Sequence, residues 1–215
     1  MCHRGQKLAK YAVAVVLATL WGGAQAAGSF SVFYGQKSLN KSDWEPLESQ
    51  SEFGFGVAYR QPDWPISIVG SYLSSEDWMS DPATYNNTYA ATIKTTLSTE
   101  ELGIGIRKYL GEEKLKFFVE GGFASISAKV KVKGSVPALG ISDDLGGESD
   151  SAIGFWFGAG MDIMVTDAVS IGALSRISNA TVTFSGVDPN TGLMLTQDYQ
   201  AGGAHFGIYA AYHFQ

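Results

Sequence analysis

Apolar and polar residues alternate with a period of two along most of the chain. Over 203–214 the positions Ala204, Phe206, Ile208, Ala210, Tyr212 and Phe214 are apolar, and those between are small or polar apart from Tyr209. A period of two places the apolar set on one face of a β-strand. Seven earlier segments repeat the pattern. The first, 28–37, sets Phe30, Val32 and Tyr34 against Ser29, Ser31 and Gly35, with Phe33 out of step. The second, 52–60, sets Phe53, Phe55, Val57 and Tyr59 against Glu52, Gly54, Gly56, Ala58 and Arg60. A third starts at Trp64 and carries Ile66, Ile68 and Tyr72, with Val69 and Leu73 blurring its other face. The rest are 98–109, 115–128, 152–163 and a segment from about Val169.

Connections alternate as regularly as side chains. Short turns are predicted at 61–63, 110–113 and 165–167, and long loops at 38–51, 74–97, 129–151 and 185–201. Four long loops and three short turns join eight strands, with all short turns on one side. Eight strands enclose an interior just wide enough for side chains. The face rich in glycine and charge therefore points inward, and Phe55, Phe157 and Phe206 point into lipid. The reverse facing would crowd bulky rings into a narrow core, as a soluble periplasmic barrel of this sequence would have to do. The expected fold is all-β: an eight-stranded antiparallel transmembrane β-barrel, an up-and-down meander, with long loops outside and short turns in the periplasm.

The front of the chain agrees with export. Arg4, Lys7 and Lys10 precede an apolar run from Tyr11 to Trp21 and then Gly22-Gly23-Ala24-Gln25-Ala26. This is the pattern of a signal peptide over 1–26, leaving a barrel domain over 27–215 and predicting location in the bacterial outer membrane. Cys2, the only cysteine, falls in the leader, so the mature chain would lack disulfides. Removing three basic residues from 15 leaves 12 against 21 acidic ones, a net charge of −9. That balance argues against nucleic acid as a partner.

The alternation, the loop order and the Tyr212-x-Phe214 end together resemble the OmpA/OmpX-type small outer-membrane barrel family, from which this chain departs by adding Gln215. The resemblance spans the mature chain and is one of pattern rather than of a diagnostic motif. It implies a monomeric barrel in contact with outer-membrane lipid. The family includes structural proteins, adhesion and serum-resistance factors, narrow channels and lipid-modifying enzymes, so it does not decide the role.

Candidate chemistry lies in the lumen and the loops. Lys37, Glu52, Arg60, Glu101, Arg107, Glu120, Asp162, Arg176 and His205 form an expected lumen charge network, with Lys116 and His213 as further inward positions. Lys37 is expected beside Glu52, and Arg107 diagonal to Glu120. Charge in so narrow a space is tolerated when paired, which favours a salt-bridged plug over an ion path. Trp156, Arg176 and His205 are expected at similar heights on neighbouring strands. The segment Arg176-Ile177-Ser178-Asn179-Ala180 resembles the His-x-Ser-Asn motif of lipid A deacylases, with Arg where that family has its catalytic His. Ser178 would therefore lack its base unless His205 supplied it. No cofactor is expected. The histidines offer no metal-ligand spacing, and Asp143, Asp144, Glu148 and Asp150 read as an acidic solvated loop.

Trp44, Trp78, Tyr85 and Tyr89 fall in predicted external loops, as contacts to an extracellular macromolecule or cell surface, or as caps of the barrel mouth. The expected function is that of a non-enzymatic outer-membrane protein with an envelope-structural or surface-interaction role. A narrow channel for small or hydrophobic solutes and a lipid A-modifying enzyme are the alternatives.

Overall fold

The computed structural model describes residues 27–86, 88–112, 114–187 and 194–214. The predicted leader and Gln215 lie outside the described residues. Eight strands close a barrel: β1 (Ala27–Ser38), β2 (Ser49–Arg60), β3 (Ser67–Tyr85), β4 (Tyr89–Glu112), β5 (Leu115–Val136), β6 (Ile141–Met164), β7 (Val169–Asn179) and β10 (Gly203–Phe214). Each pairs antiparallel with its neighbour, and β1 closes the ring on β10, with Gly28 opposite Phe214 and Ser38 opposite Ala204. A hairpin of β8 (Thr181–Val187) and β9 (Met194–Gln200) stands between β7 and β10, and a short helix α1 (Lys41–Trp44) lies between β1 and β2.

The facing follows the alternation. Phe55, Phe157 and Phe206 are 41 %, 64 % and 67 % exposed and belong to a continuous outer belt that includes Ile104, Val119, Phe123, Ile153, Ile171 and Ile208. An apolar belt of this extent is stable only against hydrocarbon. The residues that looked out of step all point inward. Phe33, Val69, Leu73 and Tyr209 are buried, and Phe33, Leu73, Phe118 and Tyr209 pack into one apolar layer across the lumen.

The long loops differ from expectation. Most of 74–97 and 129–151 is strand, not loop: β3 pairs with β4 up to Tyr85 and Tyr89, and β5 with β6 up to Val136 and Ile141. From the level of Ser125 and Ile153 to that tip is roughly 35 Å along the strand. Four strands thus rise above the belt as a sheet. Asp143, Asp144, Glu148 and Asp150 stand on β6 of this sheet rather than in a loop. Near the cap the inner face stays apolar, with Leu97, Ala128 and Val130 in the cluster around Trp44; toward the tip, over 141–149, β6 is exposed on both faces, so the apolar–polar contrast fades there although the backbone ladder continues. Much of 185–201 is hairpin for the same reason.

Putting a charge in the belt tests the facing. Phe157→Arg should destabilise folding into bilayers by about 2–4 kcal/mol if the residue lies near the midplane. Unfolding in urea from phosphatidylcholine vesicles measures this, and parent-like stability would reverse the assigned face.

Candidate functional site

The lumen holds three polar nodes separated by rings. At the turn end, Asp162 accepts hydrogen bonds from the Tyr209 and Ser170 hydroxyls, and His213 Nε2 is 2.8 Å from Ser170 Oγ. Above it, Arg107 stands directly opposite Glu120 in the β4–β5 register, not diagonal to it, and the two form an ion pair at 2.6 Å. Arg107 also covers the Phe118 ring at 4.1 Å.

The third node is the largest. Glu101 Oε1 accepts from Lys37 Nζ at 2.7 Å and from Ser178 Oγ at 2.8 Å, while Oε2 accepts from Arg176 Nη2 at 3.1 Å. His205 lies between two carboxylates, its Nδ1 2.8 Å from Glu52 Oε1 and its Nε2 3.3 Å from Glu101 Oε1. Lys37 Nζ donates further to Thr99 Oγ1 and to the Ala201 carbonyl, both at 2.9 Å. Two permanent cations, Lys37 and Arg176, face two carboxylates, Glu52 and Glu101, so the node closes near neutrality. Lys37 passes over its near neighbour Glu52 because its chain points across the lumen to β4.

Arg176 lies over the Trp156 ring at 4.2 Å and donates to Ser71 Oγ. Glycine makes the space for that stack. A Cβ on Gly105 would meet the Trp156 ring at 2.7 Å, and one on Gly103 would meet Trp156 Nε1 at 3.1 Å. Between this stack, the Arg107–Glu120 pair and Tyr209 a cavity of about 40 Å³ remains, room for very little beyond water. Among the described residues Arg176 Nε has no hydrogen-bond partner.

Positions expected in the network behave differently. Lys37, Glu52, Glu101, Glu120, Asp162, Arg176 and His205 are buried, Arg107 is largely so, and Lys116 and His213 are half-buried. Arg60 is a correction: it is exposed at the turn end, opposite Ala27, where the lumen opens and solvates its charge. Gln50, Ser75 and Thr99 join the node unannounced, with Ser75 Oγ donating to Gln50 Oε1 at 2.6 Å. Gln50 and Ser75 fell in predicted loops, and an uncharged polar residue gives no signal of its own there.

Of the two expectations for Trp44, external contact or cap of the barrel mouth, the structure shows the cap and corrects the contact. Trp44 is not an exposed loop contact but 7 % exposed, its Nε1 donating to the Gln200 carbonyl at 2.6 Å. Asp43 of the same helix accepts from the Gln200 N–H at 3.0 Å. Trp44 packs against Phe184 and Tyr199 of the β8–β9 hairpin, above Leu39, Leu47, Leu97, Ile126 and Val182. These residues cap the loop end of the lumen. Trp78, Tyr85 and Tyr89 are 54 %, 43 % and 39 % exposed on the β3–β4 extension.

Ser178 Oγ, His205 Nε2 and Glu52 form a nucleophile–base–acid sequence in space, with 2.9 Å between Ser178 and His205. Chemistry would need a reacting carbon about 3 Å from the hydroxyl and donors for the charge that develops on it. Here Ser178 is enclosed by Glu101, His205 and the Gly203 N–H, beneath the cap.

No family model matches the sequence, and no curated protein matches it. Solved structures do. Neisserial surface protein A aligns over 89 % of this chain and 98 % of its own, at 13 % identity and a TM-score of 0.55. Ail of Yersinia pestis, solved with the heparin analogue sucrose octasulfate, aligns over 89 % and 100 %, at 15 % identity and a TM-score of 0.52. OprG from Pseudomonas aeruginosa aligns over 88 % and 94 %, at 11 % identity and a TM-score of 0.52. The closed meander with a filled lumen is that of a small bacterial outer-membrane β-barrel. Its architecture is of the OmpA/OmpX type.

Glu101 joins four cationic or hydrogen-bonding partners, so its removal should do the most damage. Glu101→Ala leaves Lys37 and Arg176 without their shared anion and should cost about 3–5 kcal/mol. Planar-bilayer recording should find the parent without large persistent conductance, and Arg107→Ala or Glu120→Ala with more. Large steady conductance from the parent would show that the side chains do not seal the lumen.

Proposed function

We propose that this protein is a non-enzymatic, monomeric barrel of the outer membrane, exported by its 1–26 leader, that presents a raised sheet to an extracellular macromolecule or cell surface. The observation that carries this reading is the rigid platform. The lumen is filled by paired charge and capped by Trp44, while β3–β6 extend well above the belt with Trp78, Tyr85 and Tyr89 on them. A filled barrel is suited to holding a surface outward rather than to passing solute, and backbone-paired extensions hold side chains in fixed places as loose loops do not. Exposed aromatics on a rigid sheet lose little freedom when a partner covers them. Ail, crystallised with a heparin analogue, supports sulfated glycan as one partner class to test.

Removing 80–94 and, separately, 131–147, each replaced by a two-residue Asn-Gly turn, should leave barrel folding intact. Adhesion of expressing bacteria to immobilised heparin or epithelial cells should then fall at least tenfold for one or both. The reading is overturned if neither trimming changes adhesion or envelope integrity while Ser178→Ala or His205→Ala alters the lipid A profile. That outcome would make the buried Ser178–His205 pair an enzyme's.

A further inference from the structure

The two faces of the raised sheet differ in charge. Residues directly opposite on paired strands share a face, and Leu97 and Val130, which pack in the cluster under the cap, identify the inner one. Asp77 of β3, Leu97 of β4, Val130 of β5 and Glu148 of β6 form one transverse row on it. Further up the strands Asp81, Ile93, Gly134 and Asp143 form a second, with Met79, Thr95, Val132 and Gly146 between the two. Tyr85 and Tyr89, opposite each other, end the same face at the tip. Both outer strands of the sheet thus carry carboxylates inward, and the two middle strands carry the apolar groups. Lys94, Lys129, Lys131 and Lys133 alternate with those apolar groups and occupy the opposite face.

This inner face lacks a counter-charge of its own. Among the described residues Asp77, Asp81, Asp143 and Glu148 have no cationic side chain within 4 Å. The hairpin beside the sheet brings none, since 181–200 contains neither Lys nor Arg. Asp81, Asp143 and Glu148 are exposed, and Ile93 and Val132 between them are half-buried. The trough they form has the dimensions of a helix. Three strand spacings set its acidic edges about 14 Å apart, and an α-helix with side chains is about 10–12 Å across. The two acidic rows lie about 13 Å apart along the strands, close to two helical turns of about 11 Å. We propose that the inner face of the raised sheet is a docking trough for a cationic amphipathic helix. Its apolar stripe would lie on Ile93 and Val132, with Lys or Arg rows against Asp77 and Asp81 at one edge and Asp143 and Glu148 at the other. The proposal rests on the reading of the raised sheet as a surface offered to an outside partner, and it assigns that partner's chemistry on one face.

The test uses the full chain folded into phosphatidylcholine nanodiscs, with empty discs as the reference. The probe is a fluorescent Leu/Lys helix of about 18 residues, long enough to run from the cap to Tyr85. It should bind the loaded discs at least tenfold more tightly than empty ones, and raising NaCl from about 0.05 to 0.5 M should weaken binding about tenfold. Asp81→Asn with Glu148→Gln should weaken it about fivefold, whereas Glu76→Gln with Glu100→Gln, on the outer face, should leave it unchanged. A scrambled peptide of the same composition, without an apolar stripe, should bind no better than it binds empty discs. The proposal is overturned if the inner-face double variant, or Asp81→Asn alone where that variant does not fold, keeps the parent's affinity. It is equally overturned if the outer-face variant loses as much, or if the scrambled peptide binds as well, since either result leaves only diffuse acidic charge. Cell adhesion of the trimmed barrels separates the two readings. Unchanged adhesion after both trimmings overturns the presenting surface, whereas lost adhesion without helix binding by the parent overturns the trough alone.

Discussion

Closure of eight strands leaves a lumen too narrow for water to solvate isolated charge, and the rest of the structure follows from how that charge is paired. Glu101 is the centre of the solution. It lies within reach of Lys37 from β1, Arg176 and Ser178 from β7 and His205 from β10, so one carboxylate ties distant strands together. Removing a partner would strand the others in low dielectric, where an unpaired charge is costly. Rings fill what the charges do not: Trp156 against Arg176, and Phe118 against Arg107. Glycines at the same levels are the counterpart of these large groups, since the wall must recede where a ring lies against it.

The cap is bound to the same network. Lys37 donates to the Ala201 carbonyl, at the end of the hairpin that packs on Trp44. Thr183 N–H donates to Asp150 on β6 at 2.8 Å, which fixes the other side of the hairpin to the raised sheet. Lumen, cap and extension are therefore one mechanical unit. Such a unit holds the raised sheet without the freedom of a loop.

Outside the lumen the chain meets two different solvents along one continuous face. In the belt the outward row is Phe, Ile, Val and Leu, and beyond it the same row on β5 becomes Ser and then Lys. The backbone does not change at that boundary. Side-chain chemistry alone marks where hydrocarbon ends, and the buried face behind it remains apolar up to Ala128.

The alternation of residues determined the strand count of the barrel, the facing of Phe55, Phe157 and Phe206, and the inward set that includes Glu101, Arg176 and His205. It was informative because lipid and lumen differ sharply, so each residue reports which side it faces. Toward the tip of the extension that contrast weakens, and 74–97 and 129–151 read as loops although Val130 and Val132 still alternate with lysines and hydrogen bonding between strands continues there. Only the tertiary structure decided the pairings. Lys37 and Glu101 are 64 residues apart and meet because ring closure sets β1 and β4 across the lumen from each other. The same closure buried Trp44, which local sequence leaves free to face water, because the hairpin that covers it arrives from the far end of the chain. Position within a strand follows from local pattern, whereas a partner across a closed barrel depends on shear, strand length and side-chain reach together.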